Sequence, residues 1–133
     1  MNYTELTNAI KEYTDNTETT FVNNIPNFVR QTEERIYRSI LIPELRKNVT
    51  TSLTTSNRFL AKPTDFLAVF SIAVVDGSSN YSFLLPKDVN FIREAYPATA
   101  TSGLPVYYSL FDGDNFLIAP TPDSTYTVQL HYY

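Results

Sequence analysis

Residues 58–75 read RFLAKPTDFLAVFSIAVV, and the reading of this stretch decides the fold. It opens as a short strand, Arg58 to Lys62, and stops at Pro63-Thr64-Asp65. It then runs apolar from Phe66 to Val75, with Ser71 its only polar residue. A helix that crosses a bilayer needs about 20 apolar residues, so this run is too short to be one. Its Val, Ile and Phe content favours a strand over a buried helix, although periodicity does not separate the two in so apolar a run. We read it as a central strand covered on both faces.

Downstream, Asp76-Gly77-Ser78-Ser79 is a hairpin signal between that run and Asn80 to Leu85. Pro86-Lys87-Asp88 starts a two-turn helix on which Val89, Ile92 and Tyr96 are spaced as one face, and Pro97 ends it. A second hairpin joins Val106–Phe111 to Phe116–Ala119 across Asp112-Gly113-Asp114-Asn115. From Thr125 the chain alternates. Tyr126, Val128, Leu130 and Tyr132 fall on one face; Thr127, Gln129, His131 and Tyr133 fall on the other. The sequence stops at Tyr133 inside this pattern, which is the expectation for an edge strand or an interrupted protein.

Upstream, Lys47 to Thr55 is a Thr-rich amphipathic strand with Val49 and Leu53 inward, and Arg58 to Lys62 is expected to pair back on it after a turn at Ser56-Asn57. Two amphipathic helices precede it. The first carries Leu6, Ile10 and Tyr13, with Asn2 or Thr4 as N-cap. At about ten residues it is too short to be stable alone in water. The second is expected to start at Pro26, where a missing N–H costs nothing, and to end before Pro43. Ile25, Val29, Thr32, Ile36 and Ile40 form its apolar face. Arg30, Glu33, Glu34 and Arg38 form its charged face, with Arg30–Glu34 and Glu34–Arg38 at ion-pair spacing.

The chain has 133 residues, one domain's worth, and no cysteine, which removes disulfides, thiol nucleophiles and thiolate metal sites together. Its net charge is −4, too acidic for a protein that coats duplex DNA. No cationic segment followed by an apolar core opens the sequence, so no signal peptide is read. Catalytic chemistry is not visible. Glu33 and Glu34 are adjacent on a helix and point apart, so they do not share a proton. Asp112, Asp114 and Asn115 lack the late bidentate Glu of a calcium loop. His131 is the only histidine, and Ser109 and Ser124 sit in no nucleophile motif. With three glycines and no phosphate-binding motif, no cofactor is expected.

Three stretches in order carry a resemblance: IPNFVRQTEERIYRSI; RFLAKPTDFLAVFSIAVV; and GLPVYYSLFDGDNFLIAPTPDSTYTVQLHYY. Together they resemble the head-to-tail adaptor proteins of short-tailed bacteriophages, the tail tubular protein A group, over nearly the whole chain. The resemblance implies a structural virion protein of the phage neck, assembled in the host cytoplasm. It implies a ring, commonly a dodecamer, beneath the portal protein, with the next tail component (the nozzle) docked on it and DNA passing through without specific binding. It also implies further helices after the last strand, which this sequence does not contain.

The expected fold is α+β: an N-terminal helical segment (1–45) beside a β-rich segment (46–133), the latter an antiparallel, mostly meandering sheet of about six or seven strands with one short inserted helix. No enzyme activity and no membrane are expected. Arg30, Glu34, Arg35 and Arg38 are the candidate polar patch for subunit or portal contact, and Tyr107, Tyr108 and Tyr132 the candidate aromatic patch. The alternative is a small β-rich binding module of carbohydrate-binding or tail-fibre type, presenting its aromatics to a ligand.

Overall fold

A computed structural model describes residues 1–133, which divide into two compact units, Met1–Leu41 and Ile42–Tyr133. The class is α+β.

The first unit is a pair of helices. Helix α1 spans Tyr3–Thr14. Asn2 caps it in a reciprocal box: its side chain accepts from the Glu5 N–H at 2.9 Å, and the Glu5 carboxylate accepts from the Asn2 N–H at 2.9 Å. Asp15, at φ 48°, closes the other end in the left-handed region. Helix α2 runs Thr19–Ser39, seven residues earlier than a start at Pro26 would place it. Pro26 lies inside the helix. The reading of Pro26 as the first helical residue fails because Phe21 and Val22, four and three residues before Ile25, continue its face upstream. The other end comes at Ser39, ahead of Pro43, which opens a single 3-10 turn, Pro43–Leu45.

The second unit is two four-stranded sheets packed face to face, with a helix on the back of one. The first sheet holds β1 (Lys47–Ser52), β10 (Thr127–Tyr132), β3 (Val69–Val75) and β4 (Tyr81–Phe83), in that order and all antiparallel. The second holds β2 (Phe59–Ala61), β8 (Asn115–Ala119), β7 (Tyr107–Leu110) and β5 (Leu85–Pro86), the last pair parallel. Two short strands, β6 (Ser102–Gly103) and β9 (Thr121–Pro122), pair parallel at one end. Ile72, Val74, Val128, Leu130 and Tyr132 from the first sheet meet Leu60, Tyr108, Phe116 and Ile118 from the second in one core. Helix α3 (Val89–Ala95) lays Ile92 on Leu117 and Ala119, the opposite face of β8.

Four expectations are corrected. The sheet is not a single meander, because alternate residues of β8 bury against two different layers and the chain must cross between them. Strand β2 does not pair back on β1; it pairs with β8, while β1 pairs with β10. Strand β10 is no edge: it lies between β1 and β3. The strand covered on both faces is β8, whose Phe116–Ala119 are all buried. Strand β3 is internal to its sheet but has Phe70 exposed, because the pairing shifts between His131 and Tyr132 so that Tyr132 faces Val69 and Phe70 is left over as a bulge.

Both hairpins fall where they were expected, by a different device. Neither Gly77 nor Gly113 has positive φ; in the first turn Ser79 takes that role at 64°. An aspartate closes each turn. Asp76 accepts from the N–H groups of Ser78 and Asn80 at 2.8 and 2.9 Å, and Asp112 from those of Asp114 and Asn115 at 2.8 and 2.7 Å. These donated bonds hold both carboxyls below the usual carboxylate range.

Candidate assembly surfaces

Helix α2 presents most of its length to solvent. Of its 21 residues only Ile25 is buried, while Phe28, Ile36 and Tyr37 on the helix, and Ile40 and Leu41 just beyond it, are exposed. The apolar face read from the sequence is therefore real as a pattern and largely uncovered. Phe21 and Phe28 touch along it, with ring centroids 6.1 Å apart. Arg30, Glu34, Arg35 and Arg38 are all exposed on α2. Arg30 Nε lies 3.4 Å from Glu34 Oε1; the Glu34–Arg38 pair does not form.

The tyrosines do not make one patch. Tyr107 and Tyr108 are neighbours on a strand and so point to opposite faces. Tyr107 is half-buried beneath α3, against Phe91 at 5.6 Å and Tyr96 at 6.4 Å. Tyr108 faces the other way, into the core, edge-on to Phe116 at 6.1 Å. It is 9% exposed, and that burial pushes its hydroxyl pKa up. Tyr132 is 5% exposed and belongs to the same core. An aromatic patch built on Tyr108 and Tyr132 is thus corrected: both rings fill the space between the sheets, because the buried face of β10 carries Val128, Leu130 and Tyr132.

The exposed aromatics lie elsewhere. In the hairpin closed by Asp76, Phe83 pairs with Ala73 and Tyr81 with Val75 on the outer face of the first sheet. Tyr81 is 56% and Phe83 64% exposed. Gln129 donates to the Tyr81 hydroxyl at 3.2 Å across the same face. Phe70, turned out by its bulge, lies under the Arg46 guanidinium at 4.1 Å and near Tyr133 at 6.3 Å. The alternation Tyr81-Ser82-Phe83 held the signal for the first pair. It was obscured because small Ser82 takes the inward position.

Charge at the base of the sandwich is paired. Asp65 accepts from the Tyr132 hydroxyl at 2.8 Å and forms an ion pair with Lys47. The Lys47 ammonium first, and then Tyr132, hold the Asp65 carboxyl below its ordinary range, and Asp65 raises the Lys47 pKa in return. A groove of about 790 Å³ runs beside this corner, lined by Phe66, Leu67, Lys87, Phe91, Tyr108 and Ser109 among others. His131 does not line it; it stands half-buried on the outer face of β10. No group of three or more His, Asp or Glu side chains is placed to hold a metal ion. No helix is long and apolar enough to cross a membrane.

Comparison with known proteins adds one finding. The family model for the SU10 adaptor protein matches residues 1–133, the full length described here. No curated protein sequence matches the chain. A two-helix unit with an uncovered apolar face, a β unit with exposed aromatics and a whole-length family match agree on a structural protein that works by contact. The chain belongs to the SU10 adaptor protein family, and is a bacteriophage adaptor: a virion component that interacts with other phage structural proteins.

Proposed function

We propose that this adaptor is one subunit of a head-to-tail connector ring that joins the portal to the tail and surrounds the DNA channel. The observation that carries the reading is helix α2, in which a single buried residue, Ile25, stands against exposed Phe28 and Ile36, with Ile40 exposed just past its end. Two helices with so little of their own core are not self-sufficient, since small units need a partner or a staple to be stable. Exposed large apolar side chains repeated along one helix mark a contact surface.

Ring geometry uses two different patches of each subunit, one meeting the other on the next copy. The α2 face, with Arg30, Glu34, Arg35 and Arg38 along its polar side, serves as one such patch or as the portal contact. A net charge of −4 suits a channel wall that lets duplex DNA move, because each cation bound to a phosphate adds salt-dependent grip. The dodecameric state, the nozzle contact and assembly in the host cytoplasm belong to the same proposal.

Native mass spectrometry of the chain, alone and with its portal, tests it. The expected result is a discrete closed multimer in at least one of the two conditions. A chain monomeric in both overturns the reading. A salt-sensitive, tight affinity for duplex DNA would count against the free-passage part of it.

A further inference from the structure

The first sheet has two open edges. At one, residues of β1 pair with β10 so that Leu53 N–H donates to Tyr126 O at 2.8 Å. Antiparallel ladders alternate, so Thr51, Val49 and Lys47 also bond inward, while the N–H and C=O groups of Asn48, Thr50 and Ser52 point away from the sheet. At the other edge, Leu84 N–H donates to Ile72 O at 2.9 Å and Asp76 N–H to Asn80 O at 3.1 Å. By the same alternation Ser82 bonds inward, and the backbone groups of Tyr81 and Phe83 face outward.

The β1 edge carries none of the devices that block edge pairing, and the β4 edge carries only one, its length of three residues. Strand β1 is six residues with no proline, no bulge against β10 and one charge, Lys47, engaged with Asp65. Strand β4 has no charge and no proline. The second sheet is guarded by contrast: β5 is two residues long and ends in Pro86, and β2 is three residues followed by Lys62-Pro63.

Strand direction chooses the occupant. The order β1-β10-β3-β4 is antiparallel throughout, so the two edge strands run in opposite directions. Copies set side by side in the same orientation therefore bring β1 of one against β4 of the next antiparallel, and the alternation continues unbroken from copy to copy. The side chains agree. Tyr81 and Phe83, with Asn48, Thr50 and Ser52, all stand on the outer face, so each aromatic ring would lie against a small hydroxyl or amide side chain of the neighbour. We propose that β1 of each subunit pairs with β4 of the adjacent copy, joining the first sheets into one continuous antiparallel sheet around the assembly. This rests on the ring reading and names one of its contacts.

The absence of cysteine makes the test clean. Thr50 is the middle outward-facing residue of β1, so it meets either Phe83 or Tyr81 of the neighbour. Two double variants, Thr50→Cys with Phe83→Cys and Thr50→Cys with Tyr81→Cys, are assembled and oxidised, beside each single variant. One of the doubles is expected to give a ladder of disulfide-linked multimers on a denaturing gel, and no single variant a linked dimer. Thr50→Pro removes an outward N–H and no bond to β10. It is expected to weaken association about tenfold or more by native mass spectrometry, with the thermal midpoint of the monomer little changed. Phe83→Lys on the facing edge should do the same, and serves if the proline variant does not fold. Linked dimers from Thr50→Cys alone would mean two-fold β1–β1 pairing and overturn the proposal. A multimer that forms normally in Thr50→Pro and Phe83→Lys, with no ladder from either double, would overturn it while leaving the ring reading in place. A wild-type chain that is monomeric alone and with its portal overturns both.

Discussion

The Tyr132 hydroxyl donates a 2.8 Å hydrogen bond to the Asp65 carboxylate, 67 positions earlier in the chain. The bond ties the end of β10 to the corner at which the chain turns from β2 into β3. It also explains how a nearly buried tyrosine tolerates its polar tip, since a buried hydroxyl needs a partner. Lys47, at the start of β1, completes the cluster. Three strands are thereby held at one end by an acid that the sequence presented only as part of a break.

Replacing Asp65 by Asn keeps the shape and removes the charge. The Lys47 contact is exposed and contributes little, so a small loss of stability is expected from it. Tyr132→Phe leaves Asp65 with Lys47 as its remaining side-chain partner and should cost more than removing the ammonium with Lys47→Met. Urea denaturation of the three variants checks the order; a Lys47→Met loss larger than that of Tyr132→Phe would contradict it.

Stability should fall on the acid side. Asp65, Asp76 and Asp112 all have folded-state pKa values below their ordinary 3.8. The unfolded chain therefore binds more protons in that range, so the contribution is complete above about pH 4 and is lost as pH falls through the lowered values. Lys47 acts at the other end: its pKa is raised above 10.5, so its contribution is complete below 10.5 and lost as pH rises beyond it. Thermal midpoints should be level through neutral pH and drop at both extremes. The acid drop should be shallower in a triple Asp→Asn variant.

Strand β8 should be the least tolerant of truncation. Phe116 is fully buried between the sheets and Leu117 is buried beneath α3. Phe116→Ala is expected to cost about 3–5 kcal/mol and Leu117→Ala about 2–5 kcal/mol. A calorimetric or urea measurement would show this, together with a loss of α3 protection in hydrogen exchange for the second variant alone.

The α2 face should separate association from folding. Phe28→Ala and Ile36→Ala remove exposed side chains, so each should alter the stability of the isolated chain by about 0.5 kcal/mol or less. The same changes should reduce the multimer seen in native mass spectra. Equal multimer in a Phe28→Ala, Ile36→Ala double variant would place the contact elsewhere.

Pro26 gives an opposite expectation. Inside α2 it lacks the N–H that would bond the Val22 carbonyl, a defect that costs about 3 kcal/mol relative to alanine in a regular helix. Pro26→Ala should raise the helical circular dichroism signal and the thermal stability of the helical unit. Lower helicity would mean that the proline is accommodated without cost.

Local chemistry was legible wherever the answer lay within a few residues. The Asn2 cap, the alternation of β10, the two aspartate-closed hairpins and the stop of α3 before Pro97 all follow from side chains next to the backbone they serve. Pro26 is misplaced for the same reason in reverse: a strong local start signal outweighs the seven weaker helix positions before it, Thr19 to Ile25. The sequence also determined that the chain has amphipathic helices with more apolar face than two helices cover, and a family pattern that the whole-length match supports.

Pairing was decided only by the tertiary structure. An apolar run states that a strand is buried, not by what, and both β3 and β8 answer to that description. Tyr108 and Tyr132 read as an interface because tyrosine suits one. They lie in the core because β7 and β10 turn those positions toward each other between the sheets, with Asp65 at hand for one hydroxyl. Which side chains remain at the surface, Tyr81 and Phe83 among them, depends on register across strands far apart in sequence. No periodicity along a single chain encodes that distance.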